Sequence, residues 1–322
     1  MRDRICIILV NWNGKKDTLE CLDSLTKVDY PLFSVIVVDN GSQDGSVAAI
    51  RAAHPHVPIF ETGENLGFAG GNNVGISWAL SKPFKWILLL NNDTTVDPDF
   101  LNAFMRAAEQ QPEAKILGAK ILRAHEPTRI DHLGGRWNPA IAEFESLSAG
   151  DPAHLHTDMQ PVDYVCGAAL LMHRSVPEAI GLLEPRFFLF WEETDFCFRA
   201  RRKGFSIWTA PEAKVWHKVS ASFIGGKPHS HYYWWRSRLL WLERNLPPSE
   251  RQALHRTLIR PELLKTLRHY FFRSSQHFLS RLILLPSNSQ RLAKLKRLKA
   301  GLAGAIDYYR GRFGNCPPWL LK

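Results

Sequence analysis

No apolar run in the chain reaches the ~18 residues that a membrane-spanning helix requires, so no such helix is expected. Met1-Arg2-Asp3-Arg4 leads straight into the apolar residues 5–10, a stretch too short for a signal peptide and without its cleavage site. Cysteine is sparse. Cys6, Cys21, Cys166, Cys197 and Cys316 are odd in number, scattered and free of metal-ligand spacing. A disulfide framework and a cysteine zinc site are thereby excluded, and reduced thiols in a cytosolic protein are expected. No internal repeat is present, which excludes solenoids and propellers. Acidic residues are scarce at the end of the chain. Residues 226–322 hold 4 Asp and Glu against 19 Lys and Arg, which leaves 27 against 22 in residues 1–225. The overall charge of +10 therefore hides a negative first part and a strongly positive second part. This asymmetry marks a boundary near Gly225-Gly226 and predicts an anionic partner for the second part, a lipid surface or a nucleic acid.

What is present is ordinary for a globular protein: 322 residues, 45% hydrophobic and 22% charged, enough for one large domain or a domain with an extension. Residues 5–10 read as a buried strand, and residues 34–38, Ser34 followed by four β-branched residues, as a second. Residues 57–61 give a third strand and 86–90 a fourth, whose apolar run at 87–90 without polar alternation suits a strand buried on both faces of a parallel sheet. Leu19, Leu22 and Leu25 recur at helical spacing, and Asp44 can cap a helix that carries Val47 and Ile50. Strands alternating with helices across short loops predict a mostly parallel, doubly wound α/β sheet. Further strands are expected at 115–122, 162–173, 205–209 and 213–216, with irregular structure and a hairpin around Gly134-Gly135 between 123 and 160.

Three stretches carry chemistry. The strand at 86–90 stops at Asn91-Asn92-Asp93, and open α/β sheets bind ligands beyond the carboxyl ends of their strands. A hard oxygen ligand such as Asp93 suits a divalent cation there, and the same residues also suit a polar turn before the helix that starts at Phe100. Asn65-Leu66-Gly67-Phe68-Ala69-Gly70-Gly71-Asn72-Asn73 is rich in glycine but matches neither G-x-G-x-x-G nor G-x-x-x-x-G-K-[ST]. It fits a tight turn with positive φ at Gly67 or Gly70, and it fits a helix N-terminus facing a sugar or phosphate. The third stretch is Phe187-Phe188-Leu189-Phe190-Trp191-Glu192-Glu193-Thr194-Asp195. Its carboxylates suit a helix first turn, with Arg199 four residues after Asp195 as an ion pair; clustered and flanked by aromatics, they also suit a general base with a raised pKa. His217 ends the strand at 213–216, where a structural, a metal or a phosphate role is open.

The second part has another character. Residues 229–245 read as a helix of aromatics interleaved with arginine, broken at Pro247-Pro248, and Ser249 and Glu250 can begin another. Leu258, Leu263, Leu264, Leu267, Phe271, Phe278, Leu282 and Leu285 continue an apolar theme among cations, and residues 291–299 form a basic helix with leucines at 292, 295 and 298. Helices of this kind predict contact with an anionic membrane surface, and they also suit a helical subdomain packed on itself.

In order along residues 5–223, these stretches resemble the inverting family 2 glycosyltransferases of the GT-A fold, in particular bacterial rhamnosyltransferase-like members. The residues that carry the resemblance are Val10-Asn11-Trp12-Asn13, Val38-Asp39-Asn40-Gly41-Ser42, the glycine stretch from Asn65 to Gly75, Leu90-Asn91-Asn92-Asp93, the segment from Trp191 to Arg199, and His217. The resemblance implies a GT-A catalytic domain at 1–225 followed by a basic, helical, membrane-associating extension at 226–322. It implies that Asp39 binds the donor base, with the backbone near Val10 and Asn11 completing the pocket. Asn65, Gly67, Gly71, Asn72, Asn91 and Asn92 would line the donor, and Asp93 and His217 would hold Mg2+ or Mn2+. Asn91 stands where the family's metal motif has its first acid, which leaves Asp93 as the main carboxylate ligand. Glu193 would be the catalytic base, with Glu192 or Asp195 sharing the role.

The implied reaction moves a sugar from a nucleotide-diphosphate donor, thymidine-diphospho-rhamnose first among them, to a glycan or lipid-linked glycan in cell-surface polysaccharide synthesis. The implied location is the cytoplasm, peripheral on the inner face of the membrane. Two rival classes are a nucleotidyltransferase, which would want a Lys/Arg-rich glycine loop where only Lys15 and Lys16 stand, and a nucleic-acid binder using the basic aromatic helices. Leucine stripes favour lipid or protein over nucleic acid, so no nucleic-acid partner is expected.

Overall fold

The structure, a computed structural model, describes residues 2–218, 226–282 and 289–321. Leu285 and the side chains of Phe278 and Leu282 lie outside what it describes. The chain divides into two compact units: Met1–Asn138, Phe144–Pro185 and Glu192–Ser220 form the first, and Pro139–Glu143, Arg186–Trp191 and Ala221–Lys322 form the second.

The first unit opens with β1 (Ile5–Asn11), α1 (Lys15–Leu25), β2 (Phe33–Asp39), α2 (Ser46–Ala53), β3 (Ile59–Glu61), α3 (Gly67–Leu80) and β4 (Trp86–Asn91). The strands of this half are parallel, in spatial order β3-β2-β1-β4, with Asn11 opposite Asp39 and Val10 opposite Asn91. The sheet continues with β5 (Thr94–Val96), β6 (Ala114–Arg123), β7 (Glu126–His132), β10 (Ala169–His173) and β11 (Ser206–His217), while β8 (Gly135–Asn138) and β9 (Glu143–Ser146) form a separate two-stranded sheet, with Gly135 of β8 also bridging to Tyr164. Because side chains alternate across a strand, Ile5, Ile7 and Leu9 join one core with Leu22 of α1 and with Phe100 and Phe104 of α4 (Phe100–Gln110). Cys6 and Ile8 join the other with Ile76 of α3, Val176 of α5 (Ser175–Ile180) and Phe196 of α6 (Glu192–Arg202).

The second half of the sheet differs from the sequence reading. Residues 123–160 contain β7, paired antiparallel with β6, and the hairpin turns between β8 and β9 rather than at Gly134-Gly135. Polar residues hid β7: only Ile130 of that strand is fully buried. The strand expected at 162–173 is confined to Ala169–His173, which runs antiparallel between β4 and β6. The two strands expected at 205–216 are one, interrupted by a register shift between Ala210 and Lys214.

In the second unit, α7 (Pro228–Asn245), α8 (Pro248–Leu254), α9 (Arg260–Leu282) and α10 (Ser289–Tyr309) form a helical body. A π-turn at His255–Ile259 separates α8 from α9. It precedes Pro261, whose ring removes a helical hydrogen bond and crowds the preceding turn. Tyr232, Tyr233, Trp235 and Trp241 are buried, so their rings pack inside the unit. Among the described residues no helix is long and apolar enough to cross a membrane.

Helices α7 and α10 meet backbone to backbone. A Cβ on Gly304 would lie 2.1 Å from the Tyr232 carbonyl oxygen. Gly304→Ala therefore has to push the helices apart, and a loss of about 1–3 kcal/mol is expected from such overpacking, read as a lower denaturant midpoint of the intact chain.

Candidate active site

The polar ends of β1, β2 and β4 are tied into one knot. Asn11 Nδ2 donates to Asp39 Oδ1 at 2.7 Å and to Ser42 Oγ at 3.0 Å. Its Oδ1 accepts from Thr18 Oγ1 at 2.8 Å, from the Gly14 amide at 3.2 Å and from Asn92 Nδ2 at 3.3 Å. The second Asp39 oxygen accepts the Ser42 amide at 2.9 Å. Asp39 is thus buried and held by protein donors on both oxygens. Trp12 stands 47% exposed above this knot.

The glycine stretch is the start of α3. Gly67 has φ +73, its amide donates to Asn65 Oδ1 at 2.9 Å, and its carbonyl accepts from Asn40 Nδ2 at 2.8 Å. A Cβ on Gly71 would lie 2.8 Å from Val10 Cγ1, so this glycine lets α3 lie directly on the end of β1. Asn72 is buried and donates back to the Phe68 carbonyl at 2.9 Å. Asn73, which the sequence reading passed over, clasps the Leu183 backbone through both ends of its amide.

Asn92 and Asp93 form the turn between β4 and β5. Strand β5 then pairs antiparallel with β11 so that His217 faces Thr94, one residue from Asp93. This register brings His217 Nε2 to 3.2 Å from Asp93 Oδ1 and 3.4 Å from the Asn91 amide. The other ring nitrogen, Nδ1, lies 3.4 Å from Asp131 Oδ2 on β7. Burial alone would lower the pKa of this imidazole, but its hydrogen bonds to Asp131 and Asp93 outweigh burial and carry it up to about 9. Lys218 fixes the strand end by ion pairs to Asp17 at 2.6 Å and Glu20 at 2.7 Å. Among the described residues no cluster of three or more His, Cys, Asp or Glu is arranged to hold a metal. Asp93 and His217 meet as a carboxylate–imidazole pair, an oxygen and a nitrogen donor of the kinds that bind divalent cations.

Glu192 and Glu193 begin α6. Glu192 is buried and Glu193 half-buried, and Oε2 of each is shielded from solvent and lacks a hydrogen-bond partner among the described residues. Burial, reinforced by the neighbouring Glu193 charge, raises the Glu192 pKa, and burial raises that of Glu193. Gly167 lies against Glu193 and Phe68: a Cβ there would meet the Phe68 ring at 3.0 Å and Glu193 Cβ at 3.7 Å. Desolvation, and then the charges of Glu193 and Asp131, raise the pKa of the half-buried Cys166 thiol. Asp195 has another role. Arg199 Nε donates to it at 2.8 Å and ties it to the Ile180 and Leu182 carbonyls, each at 2.7 Å.

The segment that runs into Glu192 belongs to the second unit. Phe188, Phe190 and Trp191 have φ of +65, +67 and +73. Each such non-glycine residue costs about 1–3 kcal/mol, offset here by packing: Phe188 stacks on Tyr233, and Trp191 meets Trp241. The Ser237 hydroxyl reaches the Phe187 carbonyl at 3.1 Å and the Leu189 carbonyl at 3.0 Å.

Sequence reasoning missed Asp131, His132 and Tyr164. His132 Nε2 lies 2.9 Å from the Tyr164 hydroxyl, while Nδ1 accepts the Gly134 amide at 3.2 Å. Burial lowers the His132 pKa to about 4, so the ring is neutral. The available signal was Ile-Asp-His at 130–132, an apolar residue beside two titratable ones in a segment read as irregular.

Comparison with solved structures gives the class. A mannosyltransferase of Pyrobaculum calidifontis, solved with GDP-Man and Mn2+, aligns with a TM-score of 0.59 at 15% identity, covering 96% of this chain and 88% of that one. A GalNAc transferase, solved with UDP, GalNAc and Mn2+, aligns with a TM-score of 0.56 at 12% identity, covering 73% and 48%. At these identities the likeness is one of fold: a GT-A-like mixed α/β fold with a curled, mostly parallel sheet. The chain belongs to glycosyl transferase family 2, whose family model matches residues 6–181. It is similar to a low-salt glycan biosynthesis hexosyltransferase of Haloferax volcanii, 29% identical over 210 residues, spanning 64% of this chain and 64% of that relative. It is similar also to an N-acetylglucosaminyl-diphospho-decaprenol L-rhamnosyltransferase of Mycobacterium tuberculosis, 25% identical over 281 residues, spanning 76% and 90%. A third relative is a dTDP-rhamnosyl transferase of Shigella flexneri, 23% identical over 261 residues, spanning 77% and 83%.

The glutamate pair has a measurable consequence. With both pKa values raised on folding, the folded chain binds more protons than the unfolded chain between the ordinary glutamate value and the raised ones. Stability therefore falls as pH climbs through that window. Glu192→Gln removes one buried charge, so the variant is expected to melt higher than the parent at neutral pH, with the difference vanishing below about pH 4. Melting temperatures across a pH series check this.

Proposed function

We propose that this chain transfers a sugar from a nucleotide-diphosphate donor to a hydroxyl of a glycan or lipid-linked glycan, with inversion at the anomeric carbon. The observation that carries the proposal lies in the first unit: two adjacent glutamates at the start of α6, each with a solvent-shielded oxygen that has no partner among the described residues, and a carboxylate–imidazole pair at the β4–β5 turn. The names of the mycobacterial and Shigella relatives support thymidine-diphospho-rhamnose as the first donor to test and a diphospho-lipid glycan as the first acceptor.

Asp93 and His217 would hold Mg2+ or Mn2+, a choice supported by the Mn2+ in the two structural neighbours. When bound, such a cation neutralises charge on the diphosphate leaving group. Asp39, with the backbone of Val10 and Asn11, forms the base pocket. Asn65, Gly67, Gly71, Asn72, Asn91 and Asn92 shape the donor wall through the contacts described above. Glu193 takes the proton of the acceptor hydroxyl as that oxygen bonds to the anomeric carbon. The carbon–oxygen bond to the diphosphate breaks, and its electron pair leaves with the nucleotide. A raised pKa suits Glu193 to this proton transfer near neutral pH. Asp195 is assigned to the scaffold by its pairing with Arg199.

Glu193→Gln is expected to lower turnover by about 10²–10⁴-fold with donor affinity unchanged, as read by steady-state rates and calorimetric titration of the nucleoside diphosphate. Asp195→Asn should lower the melting temperature first. A folded Asp195→Asn protein without turnover, beside an active Glu193→Gln protein, would move the base to Asp195.

The second unit is proposed to rest on an anionic membrane. Helix α9 exposes Leu264, Leu267, Phe271 and Phe272, the last two more than 60% accessible. These stand among Arg260, Lys265 and Arg268, and the single acid of the helix, Glu262, pairs with Arg238 at 2.8 Å. In α10 Leu295 and Leu298 are half-buried, and Lys299 lies over Trp319, so the basic stretch at 291–299 offers less apolar surface than α9. Each basic residue near such a surface contributes about 1 kcal/mol. Lys265→Glu with Arg268→Glu should therefore weaken binding to phosphatidylserine vesicles at least about tenfold, measured by co-sedimentation. Unchanged vesicle binding would move the contact off α9, and retention by single-stranded RNA at the same salt would favour the nucleic-acid reading.

A further inference from the structure

We propose that Asp131 is a positioning residue for cation binding: its carboxylate holds His217 by Nδ1 and so keeps Nε2 turned toward Asp93. The inference rests on the proposal that Asp93 and His217 hold a divalent cation, and it adds a residue that the sequence did not single out.

The backbone of His217 is fixed by pairing with Thr94 and by the Ala124 amide, which donates to its carbonyl at 2.9 Å. Neither contact fixes the rotation of the ring, which sits at the last residue of β11. The His217 side chain is 9% exposed, with carboxylates at its two ring nitrogens: Asp93 Oδ1 at 3.2 Å from Nε2 and Asp131 Oδ2 at 3.4 Å from Nδ1. Asp131 comes from β7, which pairs with one edge of β6 while β11 pairs with the other. Its side chain is 28% exposed, against 8% for Asp93. An imidazole that binds a metal through one nitrogen takes its tautomer and orientation from the hydrogen bond at the other. With Asp131 accepting from Nδ1–H, Nε2 on the Asp93 side is the nitrogen that gives up its proton to a cation. Asp131 cannot itself join the same two-ligand set, because the ring stands between it and Asp93.

The test is a double-mutant cycle read by equilibrium binding of Mn2+ alone to the full chain, with free Mn2+ counted from its electron paramagnetic resonance signal. Asp131→Asn is expected to weaken binding by about 10–100-fold, with a melting temperature close to that of the parent. In a His217→Ala background the same change should cost less than threefold, because the residue it acts through is gone. Should the asparagine variant not fold, Asp131→Ser takes its place in the same cycle. Parental affinity in Asp131→Asn overturns the inference and leaves the cation site standing. An equal loss with and without His217 also overturns it, since Asp131 would then act on the cation by itself. If the unaltered chain binds no Mn2+, the cation site falls, and this inference falls with it.

Discussion

The side chain of Asn11 has no accessible surface, yet it serves five partners: Asp39, Ser42, Gly14, Thr18 and Asn92. A buried amide left unpaired costs several kcal/mol, so this residue is tolerated only when every partner is in place. Those partners come from the ends of β2 and β4 and from the loop and first turn of α1. Satisfying one amide therefore sets where three neighbouring strands stop and where the first helix begins. The turn that carries Asp93 follows directly from Asn92, so the candidate cation site inherits its position from the same knot.

The carboxylates of the first unit divide by how they are compensated. Asp39 takes hydrogen bonds on both oxygens from Asn11 and Ser42, and Asp195 takes the Arg199 guanidinium. Asp93 and Asp131 share one imidazole, which their combined charge keeps protonated well above the usual histidine range. Glu192 and Glu193 differ from all of these: each retains a solvent-shielded oxygen without a partner among the described residues. Charge in that place is costly, and the cost appears as a raised affinity for a proton. The first group of acids is compensated by fixed donors, and the glutamate pair is compensated by protonation.

In the second unit arginine plays a structural part. Arg236 and Arg238 are almost fully buried. The Arg236 guanidinium lies 5.1 Å from the Tyr232 ring centre, 5.0 Å from that of Tyr233 and 5.7 Å from that of Phe313. Arg238 lies 4.8 Å from the Trp234 ring, donates to the Ile141 and Ala142 carbonyls, and pairs with Glu262. Aromatic faces and carbonyls replace water around these cations. The aromatic–arginine pattern that suggested base stacking is in large part the core of this unit. The strained segment from Phe188 to Trp191 packs on the same rings and then passes into Glu192.

The sequence by itself determined the first half of the sheet. Residues 5–10, 35–38 and 86–90 are apolar at every position, and only a strand with both faces covered accommodates that. It also determined where polar residues end those strands, because a change from apolar to Asn and Asp is local. The composition step near 225 and the helical spacing after it were equally legible.

Strands β5 and β7, and the joining of 205–209 and 213–216 into the single strand β11, were decided by tertiary structure. Only Ile130 is fully buried in β7, β5 has three residues, and β11 passes through a register shift that reads in the sequence as a break. The meeting of His217 with Asp93 and Asp131 depends on pairing between strands far apart in the chain. Whether a glutamate is left unpaired or an aspartate is satisfied depends on what packs around it. Local pattern fixes which segments are strands and helices; solvation and partners, which set the chemistry, are properties of the folded neighbourhood.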